Sequence, residues 1–284
     1  MKMKTVVGVD LGGTNVRAGR MIGGKMAAFR ARKISAQGSA DLVLDELRDT
    51  IAAVFDGRVS AIGIGVPSLV DVEKGIVFTV GNIPSWQKVP LKNILEREFS
   101  VPVQVNNDAN CFALGEFRFG AGRGCRNMVG MVLGTGLGAG IIINGRLYCG
   151  SHCGAGEIGK IGWREHTVEY YGSGQFFRQR FGMDGADVYA RARGGDSNAR
   201  AMFSAYGEEL AQALMVALYA FDPDMVVLGG SVSRAWPFFK ESLRRRMAAS
   251  FAYPHALARV PIQPSRNPRI SILGAAALCA DPAT

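Results

Sequence analysis

The strongest constraint on the fold is an internal repeat. Residues 6–33, VVGVDLGGTNVRAGRMIGGKMAAFRARK, read as three apolar runs separated by a Gly-Gly-Thr turn and a Gly-Gly turn, the pattern of an antiparallel meander. From Met128 the segment MVGMVLGTGLGAGIIINGRLYCG follows the same plan, with Gly8 over Gly130, Leu11 over Leu133, Gly12 over Gly134 and Gly23 over Gly145. Two copies of one meander predict two lobes built alike.

The segments between the copies favour parallel α/β pairing. ADLVLDELRDTIAAVF has apolar residues at helical spacing, and AIGIGVPSLV reads as a buried strand with a loop at its end. LEREFS closes a second helix, VPVQVNND forms a strand ending in polar residues, and ANCFALGEFRFG continues as helix. Further on, AMFSAYGEELAQALMVALYAF is a long helix that exits at Asp222-Pro223 into the strand DMVVLGG. RISILGAAALCA reads as a strand followed by a helix that begins at its glycine. The expected fold class is therefore α/β, with mixed sheets, helices on both faces and two lobes. One lobe covers residues 1–117 joined by a C-terminal helix over 270–284, and the other covers 118–269. At 284 residues the chain is large enough for two such units.

Composition narrows the function. With 48% hydrophobic and 20% charged residues the chain is globular throughout. The short apolar run after the basic N-terminus is interrupted by Asp10 and paired glycines, so the protein is expected to stay in the cytoplasm. The most apolar stretch, Met128 to Ile143, holds five glycines and leads into Asn-Gly, which suits a buried hairpin rather than a membrane span. The net charge of +9 suits an anionic partner such as ATP. Its one dense run, Arg244, Arg245 and Arg246, reads as the wet face of an amphipathic helix, and no nucleic-acid motif accompanies it. Five cysteines without a secretory signal imply reduced thiols. Cys149, His152 and Cys153 cluster, but their spacing lacks a second pair of metal ligands.

Three strand-then-glycine turns can carry chemistry: Gly12-Gly13-Thr14 after Asp10, Gly134-Thr135-Gly136, and Gly229-Gly230-Ser231. Glycine allows a backbone to approach a phosphate, and successive N–H groups form an anion nest. A single such turn is more often structural, but three together favour a nucleotide cleft. Gly134-x-Gly136-x-x-Ala139 satisfies a dinucleotide fingerprint literally, yet the following IIINGRLY is a hairpin where that site needs a helix. The P-loop and the protein-kinase motifs are absent. Asp108 follows a strand and precedes a helix, so it serves either as a helix cap or as a base taking a hydroxyl proton. An ordinary aspartate there is already ionised at neutral pH. Glu157 among glycines, Glu169 beside Tyr170 and Tyr171, and Asn82 in GNIPSW are either surface polar residues or contacts to a polyol.

These segments together resemble the ROK family of repressors and sugar kinases, within the hexokinase, heat-shock and actin superfamily. The resemblance rests on VDLGGTNVRAG, VNNDANCFALGE, LGTGLGAGIIINGRLYCGSHCGAGEIG, FDPDMVVLGGSVS and LGAAAL, and covers nearly the whole chain. It implies a two-lobed actin-like ATPase (ribonuclease H-like) fold and an ATP-dependent hexose kinase. It further implies Asp108 as general base, with Asn82, Asn107, Glu157 and Glu169 against the sugar. Gly12, Gly13, Thr14, Gly134, Thr135 and Gly136 would face the ATP phosphates, Asp10 would lie near Mg2+ through water, and Gly229, Gly230 and Ser231 would lie near adenosine. Relatives of this kind act as homodimers on glucose, fructose, allose or N-acetylmannosamine. The rival function is a sugar-sensing regulator; its relatives carry a helix-turn-helix ahead of the first phosphate loop, where this sequence has nine residues before Asp10. A non-catalytic interaction protein would not need Asp108 beside three phosphate loops.

Two departures from the family pattern stand out. Ser68 in GVPSLV replaces the glycine that many relatives carry. After GEIG the family histidine and its three-cysteine zinc knuckle are replaced by Lys160 and WREHTVEYYGSG. An ammonium cannot ligate zinc at neutral pH, so no structural zinc site is expected. Metal analysis of the purified protein checks this: less than one zinc per chain is expected, and one tightly held zinc would point back to Cys149, His152 and Cys153.

Overall fold

The computed structural model describes residues 5–280. Strands β1 (Thr5–Leu11), β2 (Asn15–Ile22) and β3 (Lys25–Lys33) form the expected meander. After α1 (Ala40–Ala52), strand β4 (Val59–Val66) pairs parallel with β1. A side sheet of β5 (Val70–Asp71), β6 (Ile76–Val80) and β7 (Ile83–Val89) follows. Then come α2 (Leu91–Phe99) and β8 (Val103–Asn107), the latter parallel to β4. The first sheet has the order β3-β2-β1-β4-β8.

Helix α3 (Asp108–Phe119) leads to the second copy: β9 (Met128–Leu133), β10 (Leu137–Ile143) and β11 (Arg146–Tyr148). A short hairpin, β12 (Gly162–Trp163) and β13 (His166–Thr167), precedes helices α4 (Val168–Gly172), α5 (Gln175–Phe181), α6 (Gly185–Arg193) and α7 (Ser197–Phe221). Strand β14 (Met225–Gly229), helices α8 (Trp236–Ser250) and α9 (Pro254–Leu257), strand β15 (Ile262–Pro264) and helix α10 (Ile270–Ala277) complete the chain. The second sheet runs β11-β10-β9-β14-β15, the order of the first sheet repeated. No helix among the described residues is long and apolar enough to cross a membrane.

Side-chain chemistry sets the ends of these elements. The Ser39 hydroxyl accepts from Leu42 N at the start of α1, and the Asp196 carboxylate accepts from Asn198 N and Ala199 N at the start of α7. Helix α7 stops at Asp222, which adopts φ 39° just before Pro223. On α8, Arg244, Arg245 and Arg246 are exposed while Leu243 and Met247 are buried, the amphipathic face read from sequence.

Strands β1 and β9 are buried on both faces. Val7, Val9 and Leu11 enter a core with α1 and α2, while Val129, Met131 and Leu133 enter a second core with α7 and α8. Their opposite faces carry glycines, and helices α10 and α3 press against these. A Cβ on Gly8 would run into the Ile272 carbonyl, and one on Gly130 would lie 2.8 Å from Ala113 Cα. A third apolar cluster, built largely from α3 and α10, joins Met21 of the first sheet to Met128 and Ile142 of the second.

The segment RISILGAAALCA departs from its sequence reading. No strand forms there; helix runs from Ile270 to Ala277, and residues 281–284 of the expected C-terminal helix lie outside the described residues. The apolar run is continuous because the helix is buried on nearly all sides, so it lacks the polar stripe that marks a surface helix. Gly274 sits within the helix rather than at its start, where the Cys111 carbonyl of α3 approaches too closely for any side chain. Gly274→Ala should therefore destabilise the protein by ~1–3 kcal/mol, the usual cost of overpacking. Gly57→Ala, on an open turn with no atom within 4 Å, should stay within about 0.5 kcal/mol of wild type. Urea midpoints of the two variants check the contrast.

Candidate active site

Both sheets end in a glycine turn at the same place. Gly12 N donates to Asn15 O at 2.9 Å in the first turn, and Gly134 N donates to Gly136 O at 3.0 Å in the second. Thr14 and Thr135 are exposed at the tips, and no atom comes within 4 Å of the space a Cβ on Gly134 would fill. The second turn is tied down from α5 and its lead-in: Gly174 N donates to Gly134 O at 2.8 Å, and Gln175 Nε2 donates to Thr135 O at 3.1 Å.

Asp108 stands where β8 gives way to α3, and the structure separates its two readings. The cap is Asn107, whose side-chain oxygen accepts from Ala109 N at 2.8 Å and Asn110 N at 3.2 Å. Asp108 Oδ1 also accepts from Ala109 N, at 2.9 Å. The expectation of an ordinary, fully ionised aspartate is corrected: burial, then the nearby charges of Asp10 and Glu157, push the Asp108 carboxyl up to about 7. Asp10 is raised too, by burial, with Arg17 opposing at 3.7 Å.

The remaining predicted residues surround this carboxylate pair. Asn82, exposed at the turn between β6 and β7, packs on Gly13, where a Cβ would lie 2.6 Å from that of Asn82. Glu157 is raised by burial and by Glu169, while Lys160 lowers it. Glu169 has both oxygens engaged: Oε2 accepts from Leu137 N and Oε1 from Lys160 Nζ, each at 2.8 Å. It thereby joins the second glycine turn to the Glu157 side of the site. Asn107 is likewise committed, since Nδ2 donates to the Ser68 carbonyl at 3.3 Å. The Ser68 hydroxyl turns inward to the Thr79 and Leu69 carbonyls at 2.8 and 2.9 Å.

The third glycine turn is split in role. A Cβ on Gly229 would meet the Phe112 ring, and one on Gly230 would meet the Leu133 carbonyl, so both serve packing here. Ser231 lines a cavity of about 440 Å³ that opens beside Gly134 and Thr135. Sequence reasoning missed its other walls, among them Gln175, Arg178, Asp184, Tyr189 and Arg234. A signal was available in Gly172-Ser173-Gly174 ahead of α5, which places Gly174 against the second turn. The segment in place of the zinc knuckle is held by rings: His166 stacks on Tyr170 at 3.9 Å, and Arg164 lies over Trp163 and Tyr171 at 5.1 and 5.3 Å. Arg164 also pairs with Glu209 at 3.0 Å. Among the described residues no group of three or more His, Cys, Asp or Glu side chains is placed to hold a metal.

Two sheets of like strand order, each begun by a meander with a glycine turn, form the actin-like ATPase architecture of sugar kinases. The chain belongs to the ROK family, whose model matches residues 6–281. Over 96% of both chains it is 29% identical to a glucokinase of Thermotoga maritima. It is also 29% identical to an N-acetyl-D-glucosamine kinase of Shigella boydii, covering 89% of this chain and 91% of that one. A ROK glucokinase of Streptomyces griseus, solved with glucose and AMPPNP, superposes with a TM-score of 0.83 at 28% identity, over 96% of this chain and 98% of that one.

The raised Asp108 carboxyl has a consequence for stability. Its folded pKa of about 7 exceeds the usual 3.8, so the folded state holds a proton that the unfolded state has lost between these values. Stability then falls as pH rises through that window, and the full cost persists above it. Asp108→Asn removes the cost, so it should raise Tm more at pH 8 than at pH 5. Thermal melts of both proteins at the two pH values test this.

Proposed function

We propose that the chain is an ATP-dependent kinase of a hexose or hexose derivative, with Asp108 as general base. The observation that carries the reading is the buried Asp108 carboxyl: Asn107 does the capping, yet the carboxylate is kept at the strand end against burial and against two neighbouring carboxylates. A buried acid held at such a cost is a mark of function. The named activities of the relatives support sugar phosphorylation.

Asp108 Oδ2 accepts the proton of the attacking sugar hydroxyl as its oxygen closes on the terminal phosphorus of ATP. Asn82 and Glu157 hold other sugar hydroxyls and fix that approach. Glu169, with both oxygens committed inside the protein, acts as a positioning residue that sets the Gly134–Gly136 turn relative to the sugar. Backbone N–H groups of the turns at 12–14 and 134–136, with the Thr14 and Thr135 hydroxyls, donate to the phosphates, and the cavity at Ser231 takes the adenosine. Asp10 offers hard carboxylate oxygens that fit Mg2+ and would hold it through water. When bound, Mg2+ neutralises charge on the phosphate oxygens. The first sheet with α10 and the second sheet act as two lobes, 1–117 with 270–284 and 118–269, which close on the substrates. The family resemblance supports a cytoplasmic homodimer.

A coupled ADP-release screen over hexoses and N-acetylhexosamines tests the reading, and sugar binding without ADP release would make the chain a sensor instead. On the best sugar, Asp108→Asn should cut turnover by ~100- to 10,000-fold with far smaller changes in KM. Wild-type kcat/KM should rise with pH through about 7, since only ionised Asp108 can take the proton. A flat profile between pH 5.5 and 8.5, or near-normal turnover in the variant, would remove Asp108 from the mechanism.

A further inference from the structure

The proposed mechanism leaves unused a pair of thiols beside the site. Cys149 and Cys153 lie on the loop after β11, and the same two buried amides hold both sulfurs. Cys149 Sγ is 3.5 Å from Asn106 Nδ2 and 3.6 Å from Asn110 Nδ2. Cys153 Sγ is 3.5 Å from Asn106 Oδ1 and 3.7 Å from Asn110 Nδ2. Both asparagines are 1% exposed, and they bracket Asn107 and Asp108 in sequence. Asn106 Oδ1 also accepts from Asn107 N at 2.8 Å and from Asn110 Nδ2 at 2.9 Å.

The two cysteines differ in access and acidity. Cys153 is 4% exposed and packs in the core of the first sheet. Cys149 is half-buried and faces an open basin of about 590 Å³ floored by Val70, Phe78 and Leu147. A hydrogen bond with Cys153, and a weaker one with Asn106, hold the Cys149 thiol down at about 7 against its burial. The same contact pushes Cys153 up. Cys149, the more accessible, is the thiol that an oxidant in the basin meets first, and Cys153 lies behind it on the same amides, the arrangement of an attacking and a resolving cysteine.

The loop leads straight to the sugar side of the site. Cys149 O accepts from Ala155 N at 3.1 Å, Gly156 lies hard against the Ala139 backbone, and Glu157 comes next. We propose that Cys149 and Cys153 are an oxidative modification site, forming a reversible disulfide that weakens sugar binding at the adjoining pocket. This role rests on the sugar-kinase reading above.

The chemistry uses a peroxide as oxidant. The Cys149 thiolate attacks one peroxide oxygen, the O–O bond breaks, and the displaced oxygen leaves as water after taking a proton; Cys149 becomes a sulfenic acid. The Cys153 sulfur then attacks the Cys149 sulfur, the S–O bond breaks, and a second water leaves. Two thiols are oxidised to one disulfide, and one hydrogen peroxide is reduced to two waters. Closing the sulfurs to ~2.05 Å draws the loop ends together and removes both S–H donors from the Asn106 amide. The backbone carrying Glu157 and the amides behind Asp108 must shift together. Losing one sugar hydrogen bond corresponds to about a tenfold weaker affinity.

Trypsin cuts after Arg146 and Lys160, so both cysteines fall in one peptide, 147–160. After hydrogen peroxide treatment, alkylation and digestion, that peptide is expected to be two hydrogens lighter and to carry no alkyl group. Calorimetry with glucose should show about tenfold weaker binding to the oxidised protein, restored by dithiothreitol. Cys149→Ser should bind glucose like reduced wild type and ignore peroxide. A peptide that still takes two alkyl groups, or ends as a sulfinic acid, overturns the proposal. So does a disulfide with unchanged glucose affinity, or a Cys149→Ser protein that remains peroxide-sensitive. Both readouts are made without turnover, so absence of ADP release from the reduced protein counts against the kinase reading and not against the disulfide.

Discussion

The close approach of α3 and α10 is the contact on which the rest of the molecule depends. Gly274 meets the Cys111 carbonyl and Gly115 meets the Ile270 carbonyl, so the two helices touch backbone to backbone. Each then lies on a sheet at further glycines, α10 on Gly8 and Gly63, α3 on Gly130 and Gly140. Where no side chain intervenes, helix and strand positions are set by backbone atoms, which cannot adapt as a rotamer can. The two sheets therefore meet across a closely packed pair of helices, with the apolar cluster of Met21, Met128 and Ile142 beside it.

That packing fixes the chemistry. Helix α3 begins where β8 ends, so its first residues must sit at the edge between the sheets, with its free N–H groups there. Asn107 satisfies two of those groups, Ala109 N and Asn110 N, and Asp108 Oδ1 shares the first of them. Burial beside Asp10 and Glu157 opposes ionisation there, so the fold tolerates a local instability at the one group the proposed reaction needs to take a proton. A carboxylate in open solvent would be ionised at no such cost, yet it would lie away from Asp10 and Glu157.

Most of the architecture was legible because both meanders write their turns in glycine and their strands in unbroken apolar residues. The order β3-β2-β1-β4-β8 and its repeat follow from those patterns with ordinary parallel crossovers. Helix α10 was misread because an apolar helix buried all round loses its periodicity, and periodicity is what distinguishes helix from strand in a short run. The side sheet β5–β7 went unread since β5 has only two residues and β6 and β7 are half exposed. At the site, motif residues such as Gly12, Asn82 and Asp108 were visible, but their division of labour was not. Whether Asn107 or Asp108 caps α3 is a matter of rotamers, and the commitment of both Glu169 oxygens depends on Lys160 and Leu137 arriving from different elements. The cavity walls at Arg178 and Tyr189 come from helices whose sequence is unremarkable, so only the folded chain brings them beside Thr135.

The hairpin β12–β13, which stands where the family pattern has its knuckle, is held by rings and an ion pair. A zinc site would fix this segment by four short bonds; here Arg164 spans two rings and reaches Glu209 on α7, while His166 lies flat on Tyr170. Each such contact is worth about 1 kcal/mol or less at a surface, so several are needed to do the work of one metal. Tyr206 adds a buried hydrogen bond to the Gly172 carbonyl at 2.8 Å, at the corner where α4 turns into α5. Glu169 on α4 is thus held from beneath by α7 and from above by Lys160, and it passes that position on to Leu137 at the root of the second glycine turn. At Lys160, where the sequence departs from the family pattern, an ion pair at 2.8 Å orients Glu169 and, through the Leu137 N–H it accepts, the root of the second glycine turn.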